Sequence, residues 1–150
     1  MFWFLDTLVD IRVASADGED GMTLIESVAP RGDSPPLHVH EDEDELFHVL
    51  DGQLTLKVGD GEVVLRAGGS ALAPQGIAHT YRVDSETARW LVTTTRGQFE
   101  AFVRAMSRPA ERAELPERSG PPTPEQQAGL AQVAAAHGIA LVGPPLALAA

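Results

Sequence analysis

The first two-thirds of the chain reads as short stretches of strand-like alternation cut by turn signals, the pattern of a β-sandwich or barrel. Strands are predicted at 2–13, 22–29, 36–41, 45–51, 53–58, 62–66, 70–74, 77–83 and 88–95. Asp17-Gly18, Asp51-Gly52 and Asp60-Gly61 suit tight hairpins, because glycine tolerates positive φ. Gly68-Gly69 and Pro74-Gln75-Gly76 punctuate the chain in the same way. After Thr95 the period changes. Phe99, Phe102, Val103 and Met106 fall at i, i+3, i+4 and i+7, which predicts an amphipathic helix over 97–107. Residues 108–123 form a proline-rich polar connector. Thr123-Pro124-Glu125-Gln126 reads as a capping box with proline at the first helical position, opening a helix over 124–137 that Gly138 ends. The apolar tail, 138–150, is expected to dock in part on the barrel or on a partner subunit. The organisation predicted is therefore an all-β barrel over 1–96, followed by two helices.

Composition narrows the partners. The 150 residues suffice for one domain with a real core. A net charge of −11, with Lys57 the only lysine and ten scattered arginines, makes nucleic acid and anionic membrane surfaces poor partners. The absence of cysteine excludes disulfides, thiolate ligands and a thiol nucleophile, and it fits a reducing cytoplasm. The opening MFWFLDTLV lacks a positive region and meets Asp6 too early for a secretory signal. No apolar run approaches the roughly 20 residues of a spanning helix. The lack of asparagine beside abundant Ala, Arg, Gly and Pro points to a G+C-rich bacterial genome.

The chemistry is concentrated in HVHEDEDELFHVLDG, residues 38–52, which holds three of the five histidines and six acidic residues. His38 and His40 are two apart, so on a strand both imidazoles face one point. Imidazole is a general ligand for divalent transition metals, and a carboxylate returned by a turn supplies a charged partner. Strand parity alone does not choose the acid. The set containing Asp44 and the set containing Glu45 are comparably apolar, and the ladder register is not visible in the sequence.

Two spaced motifs make the chain resemble the cupin superfamily. The first reads Gly32-DSPPL-His38-V-His40-EDED-Glu45-LFHVLD-Gly52 and fits at every position. The second reads Gly68-GSALA-Pro74-Q-Gly76-IA-His79-TYR-Val83, with Val83 where the family usually has asparagine. The resemblance covers residues 22–95. It implies a cupin double-stranded β-helix, or jelly-roll, barrel with C-terminal helices, and one divalent metal (Fe, Ni, Mn, Co, Cu or Zn) held by His38, His40, Glu45 and His79. A barrel without metal is the alternative, but burying three imidazoles and a carboxylate unaided is costly. The acidic run 41–45 is expected to be a solvated turn with only Glu45 facing inward.

By parity with Glu45 and His79, Phe47 and Tyr81 should face the interior, and with Trp90 they are candidates to line a substrate pocket. His48 should point outward, toward solvent or a subunit contact. His137 suits the end of a helix, and the Phe99/Phe102/Met106 stripe suits helix-to-barrel packing. The first-motif version ELFHVLDG is similar to that of quercetinase-like single-domain cupins. That resemblance implies a dioxygenase acting on a flavonol-like aromatic or enolic substrate with O2, in which Glu45 is also the catalytic base. The rivals are a non-redox isomerase, lyase or cyclase, and a small-ligand-binding protein without turnover. Homodimerisation is expected, because MFWFL and LVGPPLALAA need cover.

Overall fold

The computed structural model describes residues 1–148; the last two residues of the tail lie outside the described residues. Among the described residues, twelve strands form two antiparallel sheets. They are β1 (Phe2–Phe4), β2 (Thr7–Val13), β3 (Thr23–Pro30), β4 (Leu37–His40), β5 (Glu45–Asp51), β6 (Gln53–Val58), β7 (Gly61–Arg66), β8 (Ser70–Ala73), β9 (His79–Val83), β10 (Thr87–Thr94), β11 (Ser107–Pro109) and β12 (Ile139–Gly143). Helices α1 (Gln98–Met106) and α2 (Pro124–Ala136) follow the barrel strands. One sheet runs β11-β1-β2-β3-β10-β5-β8 and the other β12-β4-β9-β6-β7.

Alternation in the sequence becomes the two faces of each sheet. Along β3 every second residue is buried, and β5 and β10 do the same for most of their length. Their inward positions supply Phe47, Val49, Ala88, Trp90 and Val92, which meet Leu54, Leu56 and Val83 of the facing sheet in one core. Fully burying a valine, leucine or phenylalanine side chain contributes about 1.5–3 kcal/mol.

The predicted strand 2–13 is two strands. The chain reverses at Leu5, whose φ is 53°, and Asp6, so that Phe2 pairs with Val9 and Phe4 with Thr7. An unbroken strand over this range would have carried Asp6 through the middle of the sheet. Of the three Asp-Gly pairs, only Asp60-Gly61 belongs to a tight hairpin, with Val58 opposite Gly61, while Asp17-Gly18 lies in the longer loop between the paired strands β2 and β3. Asp51-Gly52 instead carries the chain from one sheet to the other, since β5 and β6 lie in different sheets.

The C-terminal third wraps the barrel. The Thr123 hydroxyl accepts from the Gln126 N–H at 3.2 Å while the Gln126 side chain accepts from the Thr123 N–H at 2.9 Å, and α2 ends before Gly138 at φ 70°. Within the connector, β11 pairs with β1, and Trp3 Nε1 donates to the Glu114 carbonyl at 2.8 Å. The tail returns as β12 along β4, with Ile139 opposite His40 and Leu141 opposite His38. Trp3 is buried and Phe2 and Phe4 are half-buried within this chain, while Met1 and Leu5 of the same segment stay exposed. No helix among the described residues is long and apolar enough to cross a membrane.

The motif glycines separate by cost. Gly52 has φ 80°, and a Cβ there would lie 2.6 Å from Ser85 Oγ and 2.9 Å from Ala88 Cα. Gly68 has φ 86° but open space around it. Gly52→Ala is expected to destabilise the protein by about 3 kcal/mol or more, combining left-handed strain with overpacking. Gly68→Ala is expected to cost only about 1–2 kcal/mol, from strain alone. Urea unfolding of the two variants measures the difference.

Candidate metal centre

The strand order brings three segments to one end of the barrel. His38 and His40 lie on β4, Glu45 opens β5, and His79 opens β9, where it is the Cα partner of His38. Ligand atoms of His38, His40, Glu45 and His79 all lie within 4.8 Å of one another. His40, Glu45 and His79 are buried, and His38 is the most open of the four. The ladder settles the acid. Glu45 sits between Thr94 of β10 and Ala73 of β8 and points inward, whereas Asp44 is exposed and accepts from the Gln75 N–H at 2.9 Å.

Hydrogen bonding decides which nitrogen faces the cluster. His38 Nδ1 lies 2.7 Å from the Pro36 carbonyl and His79 Nδ1 3.0 Å from the Ile77 carbonyl. A carbonyl only accepts, so Nδ1 carries a hydrogen in both rings, and in the neutral ring Nε2 is left as a bare lone pair. His79 Nε2 then meets Glu45 Oε2 at 2.7 Å, and His40 Nε2 meets the same oxygen at 3.2 Å. Acceptors this close repel unless a cation or a proton lies among them. Neither ring nitrogen of buried His40 has a hydrogen-bond partner among the described residues. The donor set therefore fits a divalent transition metal: imidazole nitrogens and one carboxylate, with no thiolate.

Titration follows the same logic. Burial pulls the His40 imidazole down, but the Glu45 and Glu43 carboxylates outweigh it and raise it to about 9. Burial, with the neighbouring His79 and His40 imidazoles, lowers His38 to about 4 against the pull of Glu45. Burial pushes the Glu45 carboxyl up, yet His40 and His79 together hold it well below the ordinary range. The carboxylate demands positive charge beside it, which a proton or a metal ion can supply.

Beside the cluster lies a cavity of about 80 Å³. His38, His40 and Glu45 form its polar end, and Phe47 and Tyr81 its barrel wall. The outer wall is Phe99 and Phe102 of α1, Leu130 of α2, and Ile139 and Leu141 of β12. Trp90 does not line it; its ring packs behind Tyr81 with centroids 5.1 Å apart. Phe99 and Phe102 both pack the helix onto the barrel and face the cavity. The stripe's spacing in the sequence does not separate these roles.

Other predicted residues take quieter places. His48 points outward, with Nδ1 2.7 Å from Ser70 Oγ, and His137 Nδ1 donates to the Val133 carbonyl at 2.8 Å. Val83 is fully buried and holds the Gly32–Asp33 turn through its backbone: Gly32 N–H donates to its carbonyl at 2.9 Å and its own N–H to the Asp33 carbonyl at 3.0 Å. The acidic run is not wholly solvated. Glu43 is completely buried, with one carboxylate oxygen accepting from the Gln98 N–H and the other from the Phe99 N–H, each at 2.8 Å. Its partners lie 55 and 56 residues away, so sequence spacing carried no sign of it.

The cupin domain family matches residues 24–94, which include all four clustered residues. The quercetin 2,3-dioxygenase of Bacillus subtilis (strain 168) is 33% identical over 106 residues, covering 71% of this chain and 32% of that protein. The chain thus spans about a third of the length of this curated relative. Among solved structures, KdgF from Halomonas sp. aligns with a TM-score of 0.55 at 17% identity, over 60% of this chain and 78% of that one. A conserved protein with a double-stranded β-helix domain from Klebsiella pneumoniae aligns at 0.52 and 20% identity, over 61% and 78%. These structural likenesses concern the fold, a double-stranded β-helix.

Two outcomes are expected from this geometry. Glu45→Ala should weaken Co2+ binding by chelator-stripped protein at least about 100-fold, beyond the 10–100-fold cost of losing an outer partner of a ligand. Asp44→Ala should leave it unchanged; calorimetric titration reads both. Separately, burial and, to a lesser degree, Asp6 push the Asp33 carboxyl from 3.8 up to about 6, against the Tyr81 hydroxyl that donates to it at 3.0 Å. The folded chain then binds this proton more tightly than the unfolded chain. Stability should fall as pH rises from about 4 to about 6 and stay lower above that. Asp33→Asn keeps an acceptor for Tyr81 and cannot ionise. Urea unfolding should find it about 1–3 kcal/mol more stable than the parent at pH 7, with little difference at pH 4.

Proposed function

Residues 24–94 of this chain are a cupin domain, and on that premise we propose that the protein is a metal-dependent dioxygenase acting on a small enolic or aromatic hydroxyl compound. The observation that carries this reading is the opening of a histidine-carboxylate cluster into an otherwise apolar cavity. The similarity to quercetin 2,3-dioxygenase supports the reaction class.

His38, His40, Glu45 and His79 would hold the metal. When bound, it acts as a Lewis acid that lowers the pKa of a coordinated hydroxyl and serves as the redox partner of dioxygen. The chain's own residues do the rest. Glu45 borders the cavity and takes the proton from the substrate hydroxyl as general base. Phe47 and Tyr81 flank a flat apolar body, with the Tyr81 hydroxyl anchored on Asp33. Phe99, Phe102 and Leu141 keep water away from the deprotonated substrate.

The cavity bears on substrate size. Its 80 Å³ is well below the roughly 300–1,000 Å³ of drug-sized ligand pockets. A single ring or a short acyclic enol suits it. A three-ring flavonol enters only if Leu130, Ile139 and Leu141 move aside.

The test is O2 uptake by protein loaded separately with Fe2+, Mn2+, Co2+, Ni2+ or Cu2+. The substrates are a short β-diketone, a single-ring catechol and a flavonol. O2 consumption matched to loss of a compact substrate is expected, with kcat/KM at least about tenfold above that for the flavonol. Turnover without O2 would replace the reading with Lewis-acid isomerase or lyase chemistry. Binding without turnover would make the protein a ligand-binding cupin.

A further inference from the structure

We infer that Glu43 is a positioning residue that fixes the tautomer and orientation of His40 and ties this metal ligand to the first turn of α1. The inference rests on the reading that the cluster holds a metal.

Three observations carry it. First, Glu43 is as buried as any side chain in the protein, at 0% exposure, although it sits among exposed Glu41, Asp42 and Asp44. A buried carboxylate persists only where donors meet it. Two of those donors are the Gln98 and Phe99 N–H groups at 2.8 Å, one on each oxygen. The residue at the N-cap position of α1 is Gly97, which offers no side chain. Glu43 thus performs from a distant loop the capping that a local Ser or Asp usually provides.

Second, the Glu43 oxygen that accepts from Phe99 also lies 3.5 Å from His40 Nδ1. That nitrogen has no hydrogen-bond partner among the described residues. A carboxylate whose only task was capping would have no reason to face an imidazole nitrogen.

Third, the other two histidines supply the rule. His38 and His79 each direct Nδ1 to a carbonyl two residues back, Pro36 and Ile77. The residue two back from His40 is His38, itself on the strand, and His40 faces the Glu43 carboxylate instead. In all three rings an acceptor-only group thus lies on the Nδ1 side, bonded in His38 and His79 and 3.5 Å away in His40. Ligating histidines are generally oriented by such a partner on the far ring nitrogen. A small closing of the 3.5 Å gap completes the set.

One consequence reaches the cavity. Phe99 takes its backbone anchor from Glu43, packs its ring against His40 with centroids 5.6 Å apart, and lines the pocket. The same carboxylate therefore places a ligand and a wall.

The experiment titrates chelator-stripped full-length protein with Co2+, following affinity and the visible spectrum of the bound ion, beside thermal unfolding of the metal-free form. Glu43→Gln is expected to weaken Co2+ binding 10–100-fold and alter the spectrum, with Glu43→Asp recovering part of the loss. In a His40→Ala background the same substitution should leave affinity unchanged, because Glu43 acts through His40. Unaltered affinity and spectrum together with a lower Tm would reduce Glu43 to a helix cap and overturn the inference. An equal loss of affinity in both backgrounds would do the same. If Glu43→Gln does not fold, 15N-histidine spectra of the Zn2+-loaded parent decide: a hydrogen on His40 Nδ1 supports the assignment, and one on Nε2 overturns it. A parent protein that takes up no Co2+ sinks the metal reading itself, which separates the two failures.

Discussion

Lone-pair repulsion at the mouth of the barrel is the constraint around which this molecule is arranged. The backbone carbonyls of Pro36 and Ile77 hold hydrogens on the outer nitrogens of His38 and His79, and the inner nitrogens and the Glu45 carboxylate are left facing one another. A buried group of acceptors is unfavourable by itself. It is tolerable only with positive charge at its centre, and the opposed shifts of His40 and Glu45 express that demand through protons. The two sheets are joined at this point. Glu45 comes from one sheet and the three histidines from the other, so the cluster also bears on how the sheets meet.

Around that point the C-terminal third acts as cover. β12 lies along β4 beside His38 and His40 and brings Ile139 and Leu141 over the cavity, while α1 and α2 contribute Phe99, Phe102 and Leu130. Thus the segment outside the motif-bearing barrel forms the outer wall of the pocket. Cupin folds host many activities on one barrel. Here elements outside the matched residues 24–94 supply the apolar outer wall of the space beside the cluster.

The barrel strands were readable because each buries one face, so that period-2 alternation in the sequence is a direct record of inside and outside. Spacing alone carried His38 and His40 to one strand face, and the resemblance to the two cupin motifs added Glu45 and His79, which the structure brings together with them. Asp51-Gly52 misled as a hairpin signal for a physical reason. Gly52 meets the need for positive φ, and that need is the same whether a turn joins paired strands or crosses between sheets. The split at Leu5 was hidden for the opposite reason, because a leucine at φ 53° carries no turn signature.

The sequence by itself determined the alternation, the class of fold, the histidines of the cluster and the absence of thiol chemistry. These are local properties of spacing and composition. Only the tertiary structure decided which acid of the run 41–45 joins the cluster and which one caps α1, because ladder register and long-range approach are set by packing between sheets. It also decided that Trp90 stands behind Tyr81 while Phe99 and Phe102 face the cavity. Parity and helical spacing assign a face to a side chain. What lies opposite that face is fixed by elements far away in the chain.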